Sequence, residues 1–507
     1  MRTIGDEHKP TDRADLPAGL SENSSEPDLI DWHGLDDPEN PYNWPLRKKW
    51  TNSAVGYLAT FTTIMNGTLI TVAHEAINEE FHISDARFPN SYWPVTSWAL
   101  GGALSSLIVL PVMEDFGIRS GFLGTYIVFM CFIIPQALAQ NFATLIITRF
   151  FSGGCVSVLA NTAASLVSNV WEGDRARTVP LSLFVTVFLA GSSAGPVIGG
   201  VIYEYLSWRW ISYMQLIWYG ALFPVYWIWF QESRGTKILQ NRAEMLRKAG
   251  KQVFTASEVN HTTLLQKLGH SIKRPLRMLF TEPVLFVFTL WSSFMIGTVY
   301  VFTQSVEQVF AGLYGWTPSQ AGYVQAAIAI GECVGWTGAL VSARLYFASA
   351  SRNLEAPGTP VPEARLYMSL VGGFVGVSGG MFVYGWTSYP FLPWIAPTIG
   401  LFMVGAGINV VVIAIADYVV DAYSKYAGSA IAAVVLGENT FAAFLPLAAQ
   451  SMYTNLGFRW ASTLLAFLAL VLAFAPVCII IWGRQIRARS PFMKDAMVER
   501  SIQATTV

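Results

Sequence analysis

The chain has 507 residues, of which 53% are hydrophobic, 14% aromatic and 13% charged, and its mean hydropathy is +0.42. Soluble globular proteins carry about 25% charged residues, so this composition excludes an ordinary soluble domain and predicts an all-α membrane protein. The formal net charge of −1 gives no indication of a nucleic-acid partner.

Twelve apolar runs of membrane-spanning length follow one another after a polar N-terminal stretch. Six runs, a polar interval and six more runs predict two six-helix bundles. The predicted segments are a disordered tail (1–49), a first bundle (50–231), a linker with amphipathic helices (232–282), a second bundle (283–483) and a C-terminal tail (484–507). The runs are 52–73, 91–112, 121–139, 143–170, 179–203, 211–230, 284–302, 321–341, 366–386, 391–415, 427–452 and 460–482.

Lysine and arginine residues are distributed unevenly between the two sides of this arrangement. With the N-terminus inside, Arg87, Arg209 and Arg459 fall in outer loops and Arg149 within a helix, so the other 28 of the 32 cations are cytoplasmic. The positive-inside rule therefore places both termini and the linker in the cytoplasm. We expect a multi-pass plasma-membrane protein, with the vacuolar membrane as the alternative. Basic amphipathic helices of the linker are predicted to lie on the bilayer surface.

Three ionisable residues fall inside predicted spanning helices, where charge is costly and usually functional. Arg149 lies six residues into the fourth helix, and Glu332 and Glu438 lie near mid-depth of the eighth and eleventh. Because desolvation penalises the charged form of a buried carboxylate, both glutamates are candidate proton sites or readers of substrate charge. A buried ion pair or a hydrogen-bonded packing role is the structural alternative for each.

Several other chemistries lack the residues they need. All six histidines lie in tails or loops, and Cys131, Cys155, Cys333 and Cys478 lie in apolar runs without metal-like spacing. The chain contains no G-x-x-x-x-G-K-[ST] stretch, so ATP is not expected to supply energy. We therefore expect no enzyme activity, no metal and no cofactor, and an ion gradient as the driving force.

The fifth predicted helix contains the string G-x-x-x-G-P-x-x-G-G. Gly191, Gly195 and Gly199 recur every fourth residue and form a stripe that lets another backbone approach closely, while Pro196 weakens or kinks the helix and Gly200 ends the string. Such a stripe alone is typical of ordinary helix packing. The whole string resembles the antiporter motif of proton-coupled exporters of the major facilitator superfamily.

Further strings, covering about residues 36–483, resemble the fungal twelve-helix drug:proton antiporters of that superfamily. In that family the arginine of the fourth-helix motif is implicated in proton coupling, which implies this role for Arg149. The matching strings are DDPENPYNW (36–44), TRFFSGG (148–154), WRWISY (208–213), ESRG (232–235), RPL (274–276), FTEP (280–283), PEARL (362–366) and YVVDAY (418–423).

The resemblance implies an inner gate formed by Asp115, Gly117, Arg119 and Asp421. The loop that normally reads G-x-L-x-D/E-x-x-G-R-R/K is LPVMEDFGIR here (110–119), without the leading glycine and the second cation, so we expect a looser gate. From the residues themselves, we expect Asp421 and its neighbour Asp417 to lie near Lys425 in a structural role. Glu438 stands where the family commonly has arginine, and the family's substrate preference does not transfer across that change.

The family fold implies a central cavity between the two bundles, with helices five and eight packed across them. We expect Ala327, Gly331 and Gly335 of the eighth helix to pack on the fifth-helix stripe. The function expected is proton-coupled export of a small organic molecule by a monomer through alternating access; the alternatives are a proton symporter that imports a nutrient and a non-transporting receptor of the same fold. The predicted cavity residues are Asn66, Asn161, Trp291, Tyr300, Gln304, Gln325, Trp336 and Asn409.

Overall fold

A computed structural model describes residues 28–34, 36–85, 89–255, 258, 264–353 and 358–496. It is almost wholly helical, and its long helices are numbered here in chain order. They are α1 (Leu46–Ile64), α2 (Trp93–Phe116), α3 (Ile118–Ala137), α4 (Phe142–Val170), α5 (Asp174–Tyr205), α6 (Arg209–Trp229), α7 (Pro283–Tyr314), α8 (Pro318–Val324 and Ala326–Ala348), α9 (Pro362–Leu366 to Gly380–Thr387), α10 (Ile395–Tyr423), α11 (427–456) and α12 (458–489).

The number of helices agrees with the twelve predicted runs. By length and composition, eight helical stretches of the described residues are long and apolar enough to cross a membrane, and one of them, Ile395–Arg489, contains α10, α11 and α12. The last two are separated at Gly457, whose φ of +75° interrupts the helix. Together with α2 and α6, these stretches account for all twelve helices.

Two helices depart from regular α geometry within the apolar layer. α1 passes into the 3₁₀ turns Met65–Gly67 and Thr71–Ala73, and α9 contains a glycine-rich π-helical segment, Gly372–Gly379. Non-helical backbone at membrane depth is tolerated where protein groups satisfy its carbonyls. The break in α1 is satisfied in this way by Arg149, as described below.

The N-terminal segment and the linker pack together at one end of the molecule, called here the linker side; the other end is the opposite side. Strand β1 (Asp28–Leu29) pairs in parallel with β2 (Val253–Phe254). Asp37 is buried, accepts hydrogen bonds from the His33 and Glu39 amides at 2.9 and 3.0 Å, and pairs with Arg242 at 2.8 Å. The prediction that all of residues 1–49 are disordered is therefore wrong for the described part; residues 1–27 lie outside it.

Both predicted amphipathic segments of the linker form helices, Gly235–Lys248 and Leu264–Thr281. The first buries Ala243 and pairs its Arg242 with Asp37 of the N-terminal segment. At the other terminus, α12 extends to Arg489 and a further helical turn buries Met493, so the second bundle continues past the predicted boundary at residue 483. The four cysteines are free thiols, and Cys131, Cys333 and Cys478 are exposed at the protein surface.

The glycine stripe of α5 packs inside its own half. A Cβ at Gly191 would lie 2.5 Å from Ile64, and one at Gly195 or Gly199 would overlap Thr68 or Leu69, all in α1 or its continuation. Gly331 and Gly335 of α8 likewise face α10, against Phe402 and Ala406. The prediction that these two stripes pack on each other across the halves is wrong.

The predicted contact between α5 and α8 does form, but through other residues. A Cβ at Gly322 would lie 2.7 Å from the Pro196 carbonyl oxygen, and one at Gly200 would lie 3.1 Å from the Ser319 carbonyl oxygen. Glycine stripes therefore join helices within each half, and the proline end of the α5 string meets the other half.

Candidate functional site

Arg149 is completely buried and hydrogen-bonded to backbone carbonyl groups. Its Nη1 and Nη2 atoms donate to the carbonyl oxygens of Asn66 and Gly67 at 2.6 and 2.7 Å, and Nε donates to that of Pro94 at 3.1 Å. The break in α1 frees two of these carbonyls, because residues 65–67 leave the α-helical pattern. Arg149 thus ties α4 to α1 and α2, and it makes no ion pair with a carboxylate among the described residues.

Asn66 extends this network toward the second half. Its Oδ1 accepts a hydrogen bond from the Trp98 indole at 2.8 Å, and its Nδ2 donates to Gln215 at 2.5 Å. The Trp98 ring lies 6.4 Å from that of Tyr300 on α7. Asn66 therefore belongs to the Arg149 network and does not line the cavity described next, contrary to the prediction.

A cavity of about 290 Å³ lies between the two halves, on the linker side of the Arg149 network. Its walls come from α4 and α5 of the first half and from α7, α10 and α11 of the second, and Ile64 and Trp98 border it. The walls are mostly apolar. The polar side chains that line it are Ser157, Asn161, Ser168, Ser292, Tyr300, Glu438 and Asn439.

Glu438 supplies the one carboxylate in the lining of this cavity. Its Oε1 accepts a hydrogen bond from the Ser292 hydroxyl of α7, and the side chain is half-buried. Asn161 and Tyr300, both predicted cavity residues, line the same space. An apolar chamber with one carboxylate and a few amide and hydroxyl groups is suited to an amphipathic organic molecule.

Glu332 lies elsewhere, in the contact between the halves. It is fully buried, and its Oε1 accepts a hydrogen bond from the Ser193 hydroxyl of α5 at 2.9 Å. Its Oε2 has no hydrogen-bond partner within the described part of the chain. Glu332 does not line the cavity, so the two predicted membrane glutamates occupy different environments.

Two other predicted cavity residues form hydrogen bonds in the same contact between the halves. The Asn409 amide donates to Thr186 at 2.9 Å, and the Trp336 indole donates to Ser182 at 3.0 Å. Trp291, Gln304 and Gln325 are buried and lie outside the cavity lining; Trp291, for example, packs against Gly373 within the second half. For these five residues and Asn66, the predicted position in the cavity is wrong.

The residues of the predicted inner gate that the structure describes have partners other than those expected. The Asp115 side chain lies outside the described residues. Arg119 donates from Nη2 to the Trp227 carbonyl oxygen at 2.8 Å. The Glu232 carboxylate accepts from the amides of Ile118 and Arg119 at 3.2 and 3.1 Å, at the start of α3. A carboxylate there satisfies free amides and complements the helix dipole.

Gly117 makes the approach of Glu232 possible. Its φ is +91°, and a Cβ on it would lie 2.7 Å from a Glu232 oxygen. Glu232 is a positioning residue that was not predicted from the sequence, although it begins the ESRG string and lies two residues after the end of the sixth apolar run.

Asp421 takes part in a buried charge cluster on the linker side. Arg365 of α9 pairs with Asp417 and with Asp421, both at 3.0 Å. Lys425, which was expected near Asp417 and Asp421, instead places its Nζ atom 3.6 Å from Oδ2 of Asp495. A small cavity of about 20 Å³ separates this cluster from Asp174 and Arg177 of α5, so charged groups of both halves face each other here.

Comparisons with known proteins agree with this architecture. A family model described as Major Facilitator Superfamily matches residues 56–439. The chain is 30% identical over 477 residues to the transporter paaT of Penicillium rubens, covering 93% of this chain and 85% of that protein. It is 31% identical over 495 residues to the MFS-type transporter hepF of Aspergillus oryzae, covering 95% and 98%.

The chain is also 29% identical to the efflux pump radE of Floropilus chiversii over 476 residues, which cover 93% of this chain and 87% of that protein. Among solved structures, that of the human organic anion transporter MFSD10 (TETRAN) matches with a TM-score of 0.56 and 14% identity, over 85% of this chain and 100% of that chain.

Proposed function

Since the chain belongs to the major facilitator superfamily and is a membrane transporter, we propose that it exports a small amphipathic organic molecule by alternating access, driven by protons that enter down their gradient. The observation that carries this proposal is the cavity shared by both halves, with Glu438 in an otherwise apolar wall. Relatives named as efflux pumps and multidrug transporters support export of a drug, toxin, secondary metabolite or organic acid.

The position of the cavity is consistent with loading from the cytoplasm. The linker side carries the basic linker, which the positive-inside rule assigns to the cytoplasm of a plasma-membrane protein. Toward the opposite side the halves are in contact: the Thr96 hydroxyl of α2 donates to the Ala443 carbonyl of α11 at 2.8 Å, and Tyr323 of α8 bonds Glu204 of α5. Closure there denies protons a leak path while substrate binds.

Proton coupling is assigned to the two membrane carboxylates and to Arg149. Glu438 faces the cavity, so a proton and the polar group of a substrate compete for it. Glu332, between α5 and α8, senses whether those helices are in contact. Arg149 acts by holding the break of α1 against α2 and α4, and it influences the carboxylates through this packing.

Transport by inverted membrane vesicles tests the direction and the coupling. Everted and right-side-out vesicles containing the protein, in lipid without other transporters, receive an imposed pH gradient and a fluorescent amphipathic dye such as rhodamine 6G. Export predicts dye accumulation in everted vesicles that are acidic inside, and none without the gradient. Accumulation in right-side-out vesicles with the gradient directed inward would support a nutrient symporter instead.

The variant Arg149→Leu separates a transporter from a receptor that keeps the fold. A transporter is expected to lose gradient-driven accumulation at least tenfold in this variant, because three backbone carbonyls lose their donor. Binding of the dye to the wild type and to the variant is compared without a gradient, by the quenching of the dye's fluorescence. A receptor would show no gradient-driven accumulation in either form.

A further inference from the structure

Three potential metal ligands meet on the opposite side, across the two halves. His74 and Glu75 begin the short helix His74–Phe81 that follows α1, and Glu307 lies on α7. One ligand atom from each residue lies within 4.8 Å of the other two. The His74 Nδ1 and Glu307 Oε2 atoms are 3.5 Å apart.

The Glu307 carboxylate indicates that this group can bind a ligand. Glu307 is 7% exposed, yet its Oε2 has no hydrogen-bond donor among the described residues and faces His74. A buried carboxylate oxygen without a donor is costly, and a bound cation removes that cost. The same His74 Nδ1 atom lies 3.1 Å from the Thr71 carbonyl oxygen and donates to it when protonated, so an ion that binds Nδ1 displaces this proton.

We propose that His74, Glu75 and Glu307 bind a Zn²⁺-class divalent ion from the outer solution. Zn²⁺ takes imidazole and carboxylate ligands at about 2.0–2.2 Å, so neighbouring ligand atoms of a tetrahedral site lie about 3.4 Å apart. The spacing of His74 and Glu307 fits this geometry, and the exposed Glu75 side chain completes the site by rotation. The imidazole ligand selects against Mg²⁺, which prefers oxygen ligands.

The ion joins the two halves because its ligands come from both. It binds the conformation in which the opposite side is closed more tightly than one in which α1 and α7 have separated there, and it shifts the population toward the closed form. This consequence rests on the proposed alternating access, whereas binding itself does not. External Zn²⁺ is thus an inhibitor that holds the transporter with its cavity toward the linker side.

Titration calorimetry on the purified full-length protein in lipid nanodiscs, with ZnCl₂ or MgCl₂, tests the binding. We expect one saturable Zn²⁺ site, weakened at least tenfold in His74→Ala and in Glu307→Gln and unchanged in His82→Ala, an exposed histidine at the end of the same short helix. Glu75→Gln, at an exposed position, weakens binding severalfold without altering the melting temperature. Equal Zn²⁺ affinity in all four variants, or no saturable binding in the wild type, would overturn the proposal.

Thiol labelling tests the link to conformation. Ser168→Cys places a thiol in the cavity, and its reaction with a water-soluble maleimide is followed on its own peptide by mass spectrometry. Saturating Zn²⁺ is expected to raise the labelling rate at least twofold, and to leave it unchanged when His74→Ala is also present. A constant rate despite a filled site overturns the bridging role. Absence of dye export in vesicles would refute the proposed function but leave the titration result standing.

Discussion

Contacts inside each half of the transporter differ in kind from contacts between the halves. Inside the halves, glycines bring helix backbones together, as Gly195 of α5 does against Thr68 and Gly331 of α8 against Phe402. Between the halves, a glycine contact is confined to the ends of α5 and α8, at Gly200 and Gly322, and hydrogen bonds such as Ser193 to Glu332 and Asn409 to Thr186 join the rest of that contact. Close backbone packing resists sliding, whereas separate hydrogen bonds can be exchanged one by one. This difference is consistent with the proposed rocking of one half against the other.

The largest expected effect comes from breaking a contact inside one half. Gly195→Leu forces a side chain into Thr68 and the backbone of Leu69, and overpacking of this size costs about 3 kcal/mol or more. Its melting temperature in detergent, followed by tryptophan fluorescence, should fall by many degrees. Gly200→Leu, which meets Ser319 of the other half, should keep a near-normal melting temperature and lose dye export.

Gly124→Leu is the matched control for both variants. A Cβ at Gly124 has no neighbour within 4 Å among the described residues, so this leucine should change neither melting temperature nor export. A melting temperature for Gly195→Leu equal to that of Gly124→Leu would show that the stripe does not hold the first half together.

The second prediction concerns the contact between the halves. Glu332→Gln keeps the size of the side chain and an oxygen to accept from Ser193, but it removes the ionisable group. If Glu332 carries protons, gradient-driven dye accumulation falls at least tenfold while the melting temperature stays the same. Glu172→Gln, which replaces an exposed carboxylate just before α5, is the control and should retain most of the accumulation. Normal accumulation in Glu332→Gln would remove Glu332 from the coupling.

A smaller effect is expected in the cavity. Glu438→Gln removes the charge from a largely apolar wall and is expected to raise the KM for a cationic dye about tenfold, the equivalent of about 1.4 kcal/mol. The KM for a neutral dye of similar size should change less than threefold. The measurement is initial uptake rate against dye concentration in everted vesicles. Equal changes for both dyes would show that Glu438 does not contact the charged group of the substrate.

The smallest effect lies outside the membrane, where the N-terminal segment meets the linker. Hydrogen bonds from the His33 amide, from Arg242 and from the Glu39 amide lower the pKa of Asp37 from 3.8 to about 2. Because the pKa is lower in the folded segment, Asp37 stabilises it fully above about pH 4, and this contribution is lost as the pH falls toward 2.

Hydrogen exchange of the Glu39 amide, corrected for the intrinsic rate, follows this loss. Protection in the wild type is expected to decrease between pH 4 and pH 2, and in Asp37→Asn it should be low throughout that range. A wild-type protection factor that is constant over the same interval would show that the Asp37 carboxylate does not hold the segment.

Particular residues show which features could be predicted from the sequence and which could not. The spacing of Gly191, Gly195 and Gly199 predicts a close helix contact, but it does not identify the partner, because a smooth stripe accepts any helix that the rest of the bundle places there. Burial of Arg149 is predicted from its position in an apolar run. Its partners are backbone carbonyls freed by the break in α1, and no pattern of residue types marks a carbonyl as free.

The number of helices, their division into two halves, the family and the depth of each membrane charge follow from the sequence by itself, since they depend on apolar length, local motifs and position along a helix. Which of two similarly placed glutamates meets the cavity, and how His74 approaches Glu307 from the short helix after α1, depend on the rotation and packing of helices far apart in the chain. Those rotations are set by the sum of many small contacts, and only the tertiary structure decides them.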